Sequence, residues 1–283
     1  MIKDAFYPAP NPAHAVAFSP DGKVLTAATD AGTRLWDLQT GKLLHGTSWK
    51  STAIFSTFST DGKTVRTLQL GRPDLRGESA GYIPYSVLVW DAPTGTLLRS
   101  VRIPVRGDEW WTDKHAVISP DGLSVAISSV ILKRTKRGRR QFQVYLFNSR
   151  SGRLKAIIGR NFAEVNVAAF SPDSRVVATS QWGGNVQFWD AQSGKLLRSL
   201  NPSQRVATGP GMWSNNGAVT FAPDGTTLAS GSGHNIWLWH LPSGRLLRTL
   251  HATRELAALA FSPDGATLAA GHDDHTVRLW RIK

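Results

Sequence analysis

The sequence predicts an all-β fold made of six repeated units, each with four short antiparallel strands. A five-residue turn recurs six times along the 283 residues, and a short strand with an aromatic end follows each turn in phase. No segment has the spacing of apolar residues that is typical of a long helix. A repeat of this kind is the strongest indication of architecture, because each unit must bury its apolar surface against its neighbours.

The recurring turn has the pattern apolar-Ser-Pro-Asp-Gly, with small departures. Proline presets φ, aspartate hydrogen-bonds to nearby backbone, and glycine adopts the positive φ that closes the turn. The pattern therefore predicts that one strand ends at the first residue of each pentad and that another begins after the last. The six pentads begin at Phe18, Phe58, Ile118, Phe170, Phe221 and Phe261.

A second motif follows each pentad, a short strand that ends in an aromatic residue and a polar one. After five of these strand ends comes a Thr-Gly or Ser-Gly turn and a leucine-containing stretch, which together predict a hairpin and a fourth strand. The aromatic residues at the strand ends are Trp36, Trp90, Phe147, Trp189, Trp239 and Trp280.

With these two motifs in phase, the chain resembles the WD40-repeat β-propeller family, and the resemblance covers essentially the whole chain. The TolB-like six-bladed propellers share the Ser-Pro-Asp-Gly turn and are the alternative, but the Trp-Asp strand ends and the Thr-Gly-Lys-Leu-Leu turn favour WD40. The resemblance implies one domain over residues 1–283, a six-bladed β-propeller whose blades are four-stranded antiparallel sheets.

The last unit, residues 257–282, stops just after its third strand. Its fourth strand must come from elsewhere, and residues 2–7 are available. We therefore expect the N-terminal strand to complete the last blade, which closes the ring and removes exposed strand edges.

One departure from the family concerns a hydrogen-bonded Asp-His-Ser/Thr-Trp network, whose Asp stands six residues before the strand-end Trp. Asp30 and Asp274 match this pattern. In the other units the same position holds Pro84, Gln141, Gly183 and Gly233. We therefore expect most blades to rest on apolar packing instead of this network.

All long insertions fall between strands two and three of a blade or between blades, which places them at the end of each blade opposite the pentad turns. Loops whose length departs from the repeat usually contain the residues that bind partners. Since exposed Trp is a favoured interface anchor, we expect partner binding by four loop tryptophans, although packing on the blade end is the alternative. These four are Trp110, Trp111, Trp182 and Trp213.

The net charge of +13 is concentrated in one window, because residues 122–163 contain ten basic residues and no acidic one. Six of these cations belong to one loop, which we expect to cap a long hairpin in blade 3. Their density favours an anionic ligand, namely a phosphate backbone, an acidic protein surface or anionic lipid; the alternative is a solvated loop. They are Lys133, Arg134, Lys136, Arg137, Arg139 and Arg140. We expect Arg150, Arg153, Lys155 and Arg160 to extend this surface.

Several kinds of site and location are excluded or unsupported. The chain has no Cys, which excludes disulfides, thiolate zinc sites and a Cys nucleophile. It has no apolar run of 18 residues and no secretory signal, so we expect a cytoplasmic protein without a membrane span. The segment His272–His275 has a metal-like composition, but we assign it to a blade turn. We expect no catalysis, cofactor or small-molecule substrate.

These observations favour a non-catalytic scaffold that binds a protein partner, with an acidic surface, inside a multi-subunit assembly. The preference for a protein partner rests on the family resemblance. The alternative is an RNA- or single-stranded-DNA-binding propeller, in which the basic loop grips the phosphate backbone and the loop tryptophans stack on bases.

Overall fold

The strands were assigned in a computed structural model of the chain. It describes residues 13–30, 32–46, 52–70, 82–106, 116–132, 140–161, 165–181, 184–202, 217–272 and 276–282. These residues form twenty-three β-strands and no helix. Each pentad of the sequence lies between the first two strands of one sheet, as the repeat predicted.

The first three sheets each contain four antiparallel strands in sequential order. The first comprises β1 (Ala13–Phe18), β2 (Val24–Thr29), β3 (Gly32–Asp37) and β4 (Leu43–Gly46). The second comprises β5 (Thr52–Phe58), β6 (Thr64–Leu70), β7 (Tyr82–Asp91) and β8 (Leu97–Arg106). The third comprises β9 (Ala116–Ile118), β10 (Ser124–Leu132), β11 (Arg140–Asn148) and β12 (Leu154–Asn161).

The fourth and fifth sheets have four strands, and the sixth has three among the described residues. The fourth comprises β13 (Val165–Phe170), β14 (Val176–Gln181), β15 (Val186–Asp190) and β16 (Leu196–Leu200). The fifth comprises β17 (Gly217–Phe221), β18 (Thr227–Ser232), β19 (Asn235–His240) and β20 (Arg245–His251). The sixth comprises β21 (Leu256–Phe261), β22 (Thr267–His272) and β23 (Val277–Arg281).

The predicted fold class is confirmed, since the described residues form six successive antiparallel sheets, five of them four-stranded, of the kind that make up the blades of a β-propeller. By their contacts the residues divide into two compact units. The first unit contains the first two sheets, the second contains the last three, and the boundary passes through the third sheet.

The pentad turns have the geometry that their residues predicted. In the first turn, the Gly22 amide donates to the Ser19 carbonyl over 2.9 Å and Gly22 has a φ of 70°. The Ser19 hydroxyl donates to Asp21 over 2.6 Å and accepts the Val24 amide over 2.9 Å. The Ser19 side chain therefore stabilises the turn, because it bonds both to the Asp21 carboxylate and to the backbone of the residue that begins β2. We call the end of each sheet that carries these turns the turn end, and the opposite end the loop end.

The second turn of a unit, between strands three and four, also lies at the turn end, and in four sheets a β-bulge follows it. In the fourth sheet Trp189 pairs with Leu196 and Phe188 with Arg198, so Leu197 is the extra residue. The same irregularity recurs in the first, second and fifth sheets. A bulge re-aims the extra side chain, and Leu197 is 56% exposed.

The expectation that most blades lack the hydrogen-bonded Trp network needs a correction in two sheets. The Trp189 indole donates to the Thr179 hydroxyl over 2.9 Å. The Trp239 indole donates to the Ser230 hydroxyl over the same distance. The bond between the tryptophan and the hydroxyl residue therefore persists in both sheets, although Gly183 and Gly233 replace the aspartate of the network. The hydroxyl accepts from an indole N–H that would otherwise be buried without a hydrogen-bond partner.

Within the first unit, buried hydroxyl pairs join the first two sheets. Thr26 bonds to Ser56 over 2.7 Å, and Thr33 bonds to Thr67 over 2.8 Å. A side chain also crosses at the turn end, where the His45 ring nitrogen Nε2 lies 3.0 Å from the Pro93 carbonyl oxygen. These sheets are therefore joined by polar contacts as well as by apolar packing.

Within the second unit, apolar side chains fill the space between successive sheets. Phe188 of β15 meets Phe221 of β17 edge to face, with ring centroids 6.3 Å apart. The Arg198 guanidinium crosses at the turn end and donates to the Leu241 carbonyl over 2.7 Å. Arg198 also lies directly against Gly244, where a Cβ atom would overlap its guanidinium.

The sixth sheet shows why a fourth strand is needed. Val277 and Leu279 of β23 are 69% and 68% exposed. Residues 2–7, which we expect to cover them, lie outside the described residues, so the closure stays a prediction.

We expect removal of residues 1–8 to lower the melting temperature by about 4 °C or more, because it would unpair β23 and expose its apolar face. Circular dichroism at 218 nm measures the transition. As a check, Leu279→Ser should destabilise the full chain but not the truncated one. A truncated chain that melts within a degree of the full chain would contradict the closure.

We expect Gly244→Ala to destabilise the second unit by more than Gly41→Ala destabilises the first. Both glycines have φ near +70°, which costs alanine about 1 kcal/mol. A Cβ on Gly41 meets nothing within 4 Å, whereas one on Gly244 displaces Arg198. The extra cost should be about 1–2 kcal/mol by urea denaturation. Equal losses would show that Arg198 is not held there.

Candidate functional site

The predicted basic loop lies at the loop end of the third sheet. It connects β10 and β11, which are nine residues each, whereas the equivalent strands of the fifth sheet have six each. The predicted long hairpin of blade 3 is therefore present. Arg140 is the first residue of β11, and the other five cations, Lys133, Arg134, Lys136, Arg137 and Arg139, lie outside the described residues.

The predicted loop tryptophans fall in three connections at the loop ends of sheets. Trp110 and Trp111 lie between β8 and β9, Trp182 lies between β14 and β15, and Trp213 lies between β16 and β17. All four are outside the described residues. Their exposure and their role in binding therefore remain predictions, as do those of the basic loop.

Two exposed cations of the basic window lie at the end of β11 opposite to the segment that joins β10 and β11. Arg150 and Arg153 are exposed in the turn between β11 and β12, at the turn end. Nine residues of β11 separate this turn from the basic loop, a distance of about 30 Å at the rise of a strand. The expectation that these residues extend the loop's surface is therefore wrong for Arg150 and Arg153. Nearness in sequence did not indicate this separation, because the two ends of a strand lie at opposite ends of the sheet.

The turn end carries regularly placed carboxylates. Hydrogen bonds from the Ser19 hydroxyl and the Lys23 amide lower the pKa of Asp21. Bonds from Ser59 and Ser171 do the same for Asp61 and Asp173. A hydrogen bond to a carboxylate favours its charged form. These side chains therefore stay ionised well below neutral pH.

The second turns repeat this arrangement. The Thr40 amide and hydroxyl lower the pKa of Asp37, and the Thr94 hydroxyl and amide lower that of Asp91. The hydroxyl and amide of Ser193 act similarly on Asp190, with a smaller contribution from Lys155. The turn end therefore combines fixed negative charges with exposed Lys and Arg.

Between the second and third sheets, Arg66 crosses at the turn end, a contact that sequence reasoning missed. Its guanidinium donates to the Pro120 carbonyl over 3.5 Å and lies against Gly122. Burial lowers the pKa of Arg66, whereas the charges of Asp121 and Asp61 raise it. The sequence did contain an indication of this contact, because Arg66 stands at a position where the other units have Thr or Ala.

Two open cavities lie between neighbouring sheets at the turn end. One, between the first and second sheets, has a volume of about 310 Å³ and an apolar floor that includes Val24, Leu44 and Phe58. The other, between the fourth and fifth sheets, has a volume of about 460 Å³ and a floor that includes Phe188, Leu197 and Phe221. Pentad carboxylates border both cavities.

Among the described residues, no cluster of three or more His, Asp or Glu could hold a metal ion. His272 is buried, and its ring packs edge to face on Trp280 at 6.2 Å. The other three members of the predicted turn cluster lie outside the described part of the chain. No helix that is long and apolar enough to cross a membrane occurs in the described ranges.

Comparison with known proteins supports the predicted resemblance. Four regions match the model of the WD40 family, "WD domain, G-beta repeat": residues 6–37, 153–190, 215–240 and 244–281. Periodic tryptophan protein 2 of Arabidopsis thaliana is 23% identical over 220 residues. That alignment covers 76% of this chain and 20% of the relative, so the chain spans about a fifth of the relative's length.

We expect the stability of the chain to fall in acid because the turn aspartates have lowered pKa values in the folded state. A group of this kind stabilises the fold above its unfolded pKa, near 3.8, and that contribution disappears as the pH drops through the folded pKa. The melting temperature should therefore be level from pH 7 to about pH 5 and decrease below about pH 4.

Replacing Ser19, Ser59 and Ser171 with Ala tests the cause of this acid sensitivity. The variant should be less stable at pH 7 and should lose less stability between pH 5 and pH 3, because its aspartates gain less from folding. Differential scanning calorimetry at each pH measures both effects. A variant whose loss over this range equals that of the natural chain would contradict the assignment.

Proposed function

We propose that this chain, a member of the WD40-repeat family, uses its loop ends to bind a protein partner within a multi-subunit assembly. WD40 propellers are generally non-catalytic scaffolds for protein interactions. The observation that supports the proposal is the extended β10–β11 hairpin, because the sequence that joins its two strands, together with the first residue of β11, contains six cations. Its strands are longer than those of the equivalent hairpins in the first, fourth, fifth and sixth sheets, and the added length adds little to the blade core, so it calls for another role.

The chemistry of the loop indicates the kind of partner. Six like charges within eight residues repel one another, and an acidic protein surface relieves that repulsion on binding. Tryptophans in the connections at the loop ends supply large apolar contacts, and Trp and Arg are the residues that most often dominate binding energy. A partner with an acidic surface and apolar pockets suits both features.

The second candidate is single-stranded nucleic acid. The same loop neutralises phosphates, and the loop tryptophans, Trp110, Trp111, Trp182 and Trp213, provide flat surfaces on which bases stack. This candidate predicts a strong dependence of affinity on salt and no preference between sequences, because a cationic loop contacts backbone and not base edges.

We expect replacement of the six loop cations by Ser and Gly to weaken partner binding without unfolding the chain. The partner is first isolated by pull-down with the natural chain, with and without nuclease, and identified by mass spectrometry. For a protein partner, the variant should associate about tenfold or more slowly at low salt. For nucleic acid, the slope of log affinity against log salt should decrease by several units, at about 0.7 per phosphate.

A control variant with the same loss of charge separates location from total charge. It replaces six exposed cations at the turn end by Ser: Lys42, Arg150, Arg153, Arg175, Lys195 and Arg245. We expect this control to keep most of the binding rate. If the loop variant binds at an unchanged rate and affinity in ~50 mM salt, or if both variants lose binding equally, the proposed role of the loop is wrong.

A further inference from the structure

The fourth strand of each four-stranded sheet lies at an edge of that sheet, and one side of its backbone has no neighbouring strand among the described residues. Backbone N–H and C=O groups along such an edge can pair with an extended segment of another chain. We call β4, β8, β12, β16 and β20 the fourth strands. They are therefore candidates for the addition of a strand from a partner.

The fourth strands share a charge pattern that indicates the kind of partner. Together they contain eight Lys or Arg residues and no Asp or Glu. Three of them contain Leu-Leu-Arg, and the second leucine is exposed at the bulge in each case: Leu98, Leu197 and Leu247. Like charges on paired strands are unfavourable, so these strands suit an acidic segment and not a second copy of themselves.

Four of the five fourth strands are contacted by the second turn of the following sheet. A Cβ atom on the glycine of each of these turns would overlap an atom of the preceding fourth strand. The glycines are Gly95, Gly152, Gly194 and Gly244. The described residues of the sixth sheet contain no turn after β23. In the described part of the chain, β20 is therefore the fourth strand that no second turn contacts.

The hydrogen bonds beside β20 show which of its backbone groups point to the open edge. The amide of Ala252, which follows the strand, donates to the His234 carbonyl over 2.8 Å. The direction of the backbone groups alternates along a strand. Those of Arg248 therefore point towards β19, and those of Thr249 and His251 point towards the open edge.

The side chains beside this edge add charge and apolar surface. Arg248 and Arg245 are exposed, and Leu247 is 57% exposed between them. Side chains of neighbouring strands that share a face of the sheet lie within reach of each other. Carboxylates on the Arg248 face of an added strand can therefore form ion pairs with its guanidinium.

We propose that β20 binds an extended acidic segment of a partner protein, which joins the fifth sheet as a further strand. The backbone of the segment bonds to Thr249 and His251, its Asp or Glu side chains lie on the face of Arg248, and an aliphatic residue contacts Leu247. In this mode the main-chain bonds supply affinity and the side chains select the sequence. The proposal does not rest on the basic loop, which belongs to the third sheet.

The proposal is tested with the peptide Ac-Glu-Val-Glu-Val-Glu-Val-NH2, titrated into the ¹⁵N-labelled full chain and followed by NMR. We expect saturable binding with a Kd on the order of 0.1–1 mM. The amide signals of Thr249 and His251 should shift downfield because they gain hydrogen bonds, and the amide of Arg248 should shift less. The peptide with glutamine in place of glutamate should bind about tenfold or more weakly.

Two N-methylated peptides test the backbone pairing. One has N-methyl groups on its valines and the other has them on its glutamates. Alternate N–H groups point to opposite sides of a strand, so one of the two peptides loses its bonds to β20 and the other keeps them. We expect one to bind within about threefold of the parent peptide and the other about tenfold or more weakly.

Three variants separate β20 from other causes. Arg248→Gln should weaken binding of the acidic peptide about threefold. Arg99→Gln is the matched control, because Arg99 is exposed at the same position of Leu-Leu-Arg in β8 and should not affect binding. Thr249→Pro should weaken binding and keep the fold, because the N–H that it removes points away from β19.

The proposal is wrong if the two N-methylated peptides bind equally well, if the shifts lie away from β20, or if Arg99→Gln weakens binding as much as Arg248→Gln. It is also wrong if no saturation occurs up to about 5 mM peptide. If Thr249→Pro does not fold, the N-methylated peptides test the same bonds in the natural chain. A chain with the loop cations replaced should bind the peptide unchanged, so a failure here and a failure of the loop function are distinguishable.

Discussion

The hydrogen bonds of one serine determine the geometry of most of the units. In the pentad turn its hydroxyl donates to the aspartate two residues later and accepts the amide of the residue that begins the next strand. The glycine between them takes a φ of about 70°. Because side chains alternate along a strand, this fixed turn decides which residues of both strands face the neighbouring sheet. A shift of one residue would send the buried set to the wrong side.

This constraint separates the two ends of every sheet. At the turn end the chain repeats closely, so charges, glycines and bulge leucines recur at equivalent positions from sheet to sheet. At the loop end nothing requires a fixed length, and the connections there range from two residues between β18 and β19 to sixteen between β16 and β17. A scaffold with one uniform end and one variable end can change its loop contacts without altering the packing between sheets.

The sequence was sufficient to predict the parts of the fold that depend on local chemistry. The pentads located the ends of strands, the Trp-Asp pairs located the third strands, and the order within each sheet followed from hairpins. It was insufficient where a contact joins two units, because the partner of a side chain such as Arg66, His45 or Arg198 is not near in sequence. The Trp189–Thr179 bond was missed for a related reason, since the family pattern drew attention to the missing aspartate instead of to the hydroxyl.

The same reasoning explains the unequal outcome for the candidate sites. The loop residues were predicted from composition, which indicates the charge of a possible ligand but not the position of a side chain. Composition did not reveal the cavity at the turn end. Its carboxylates belong to turns, and their hydrogen bonds within the turns were a sufficient explanation for them.

The cavity is recognised by comparing equivalent junctions between neighbouring sheets of the same molecule. Arg66 and Ala178 occupy the same place in two sheets of the same design. The units of a repeat protein can therefore be compared with one another. At this position one unit has an arginine and another has an alanine, so the two junctions differ here in one side chain and not in the fold.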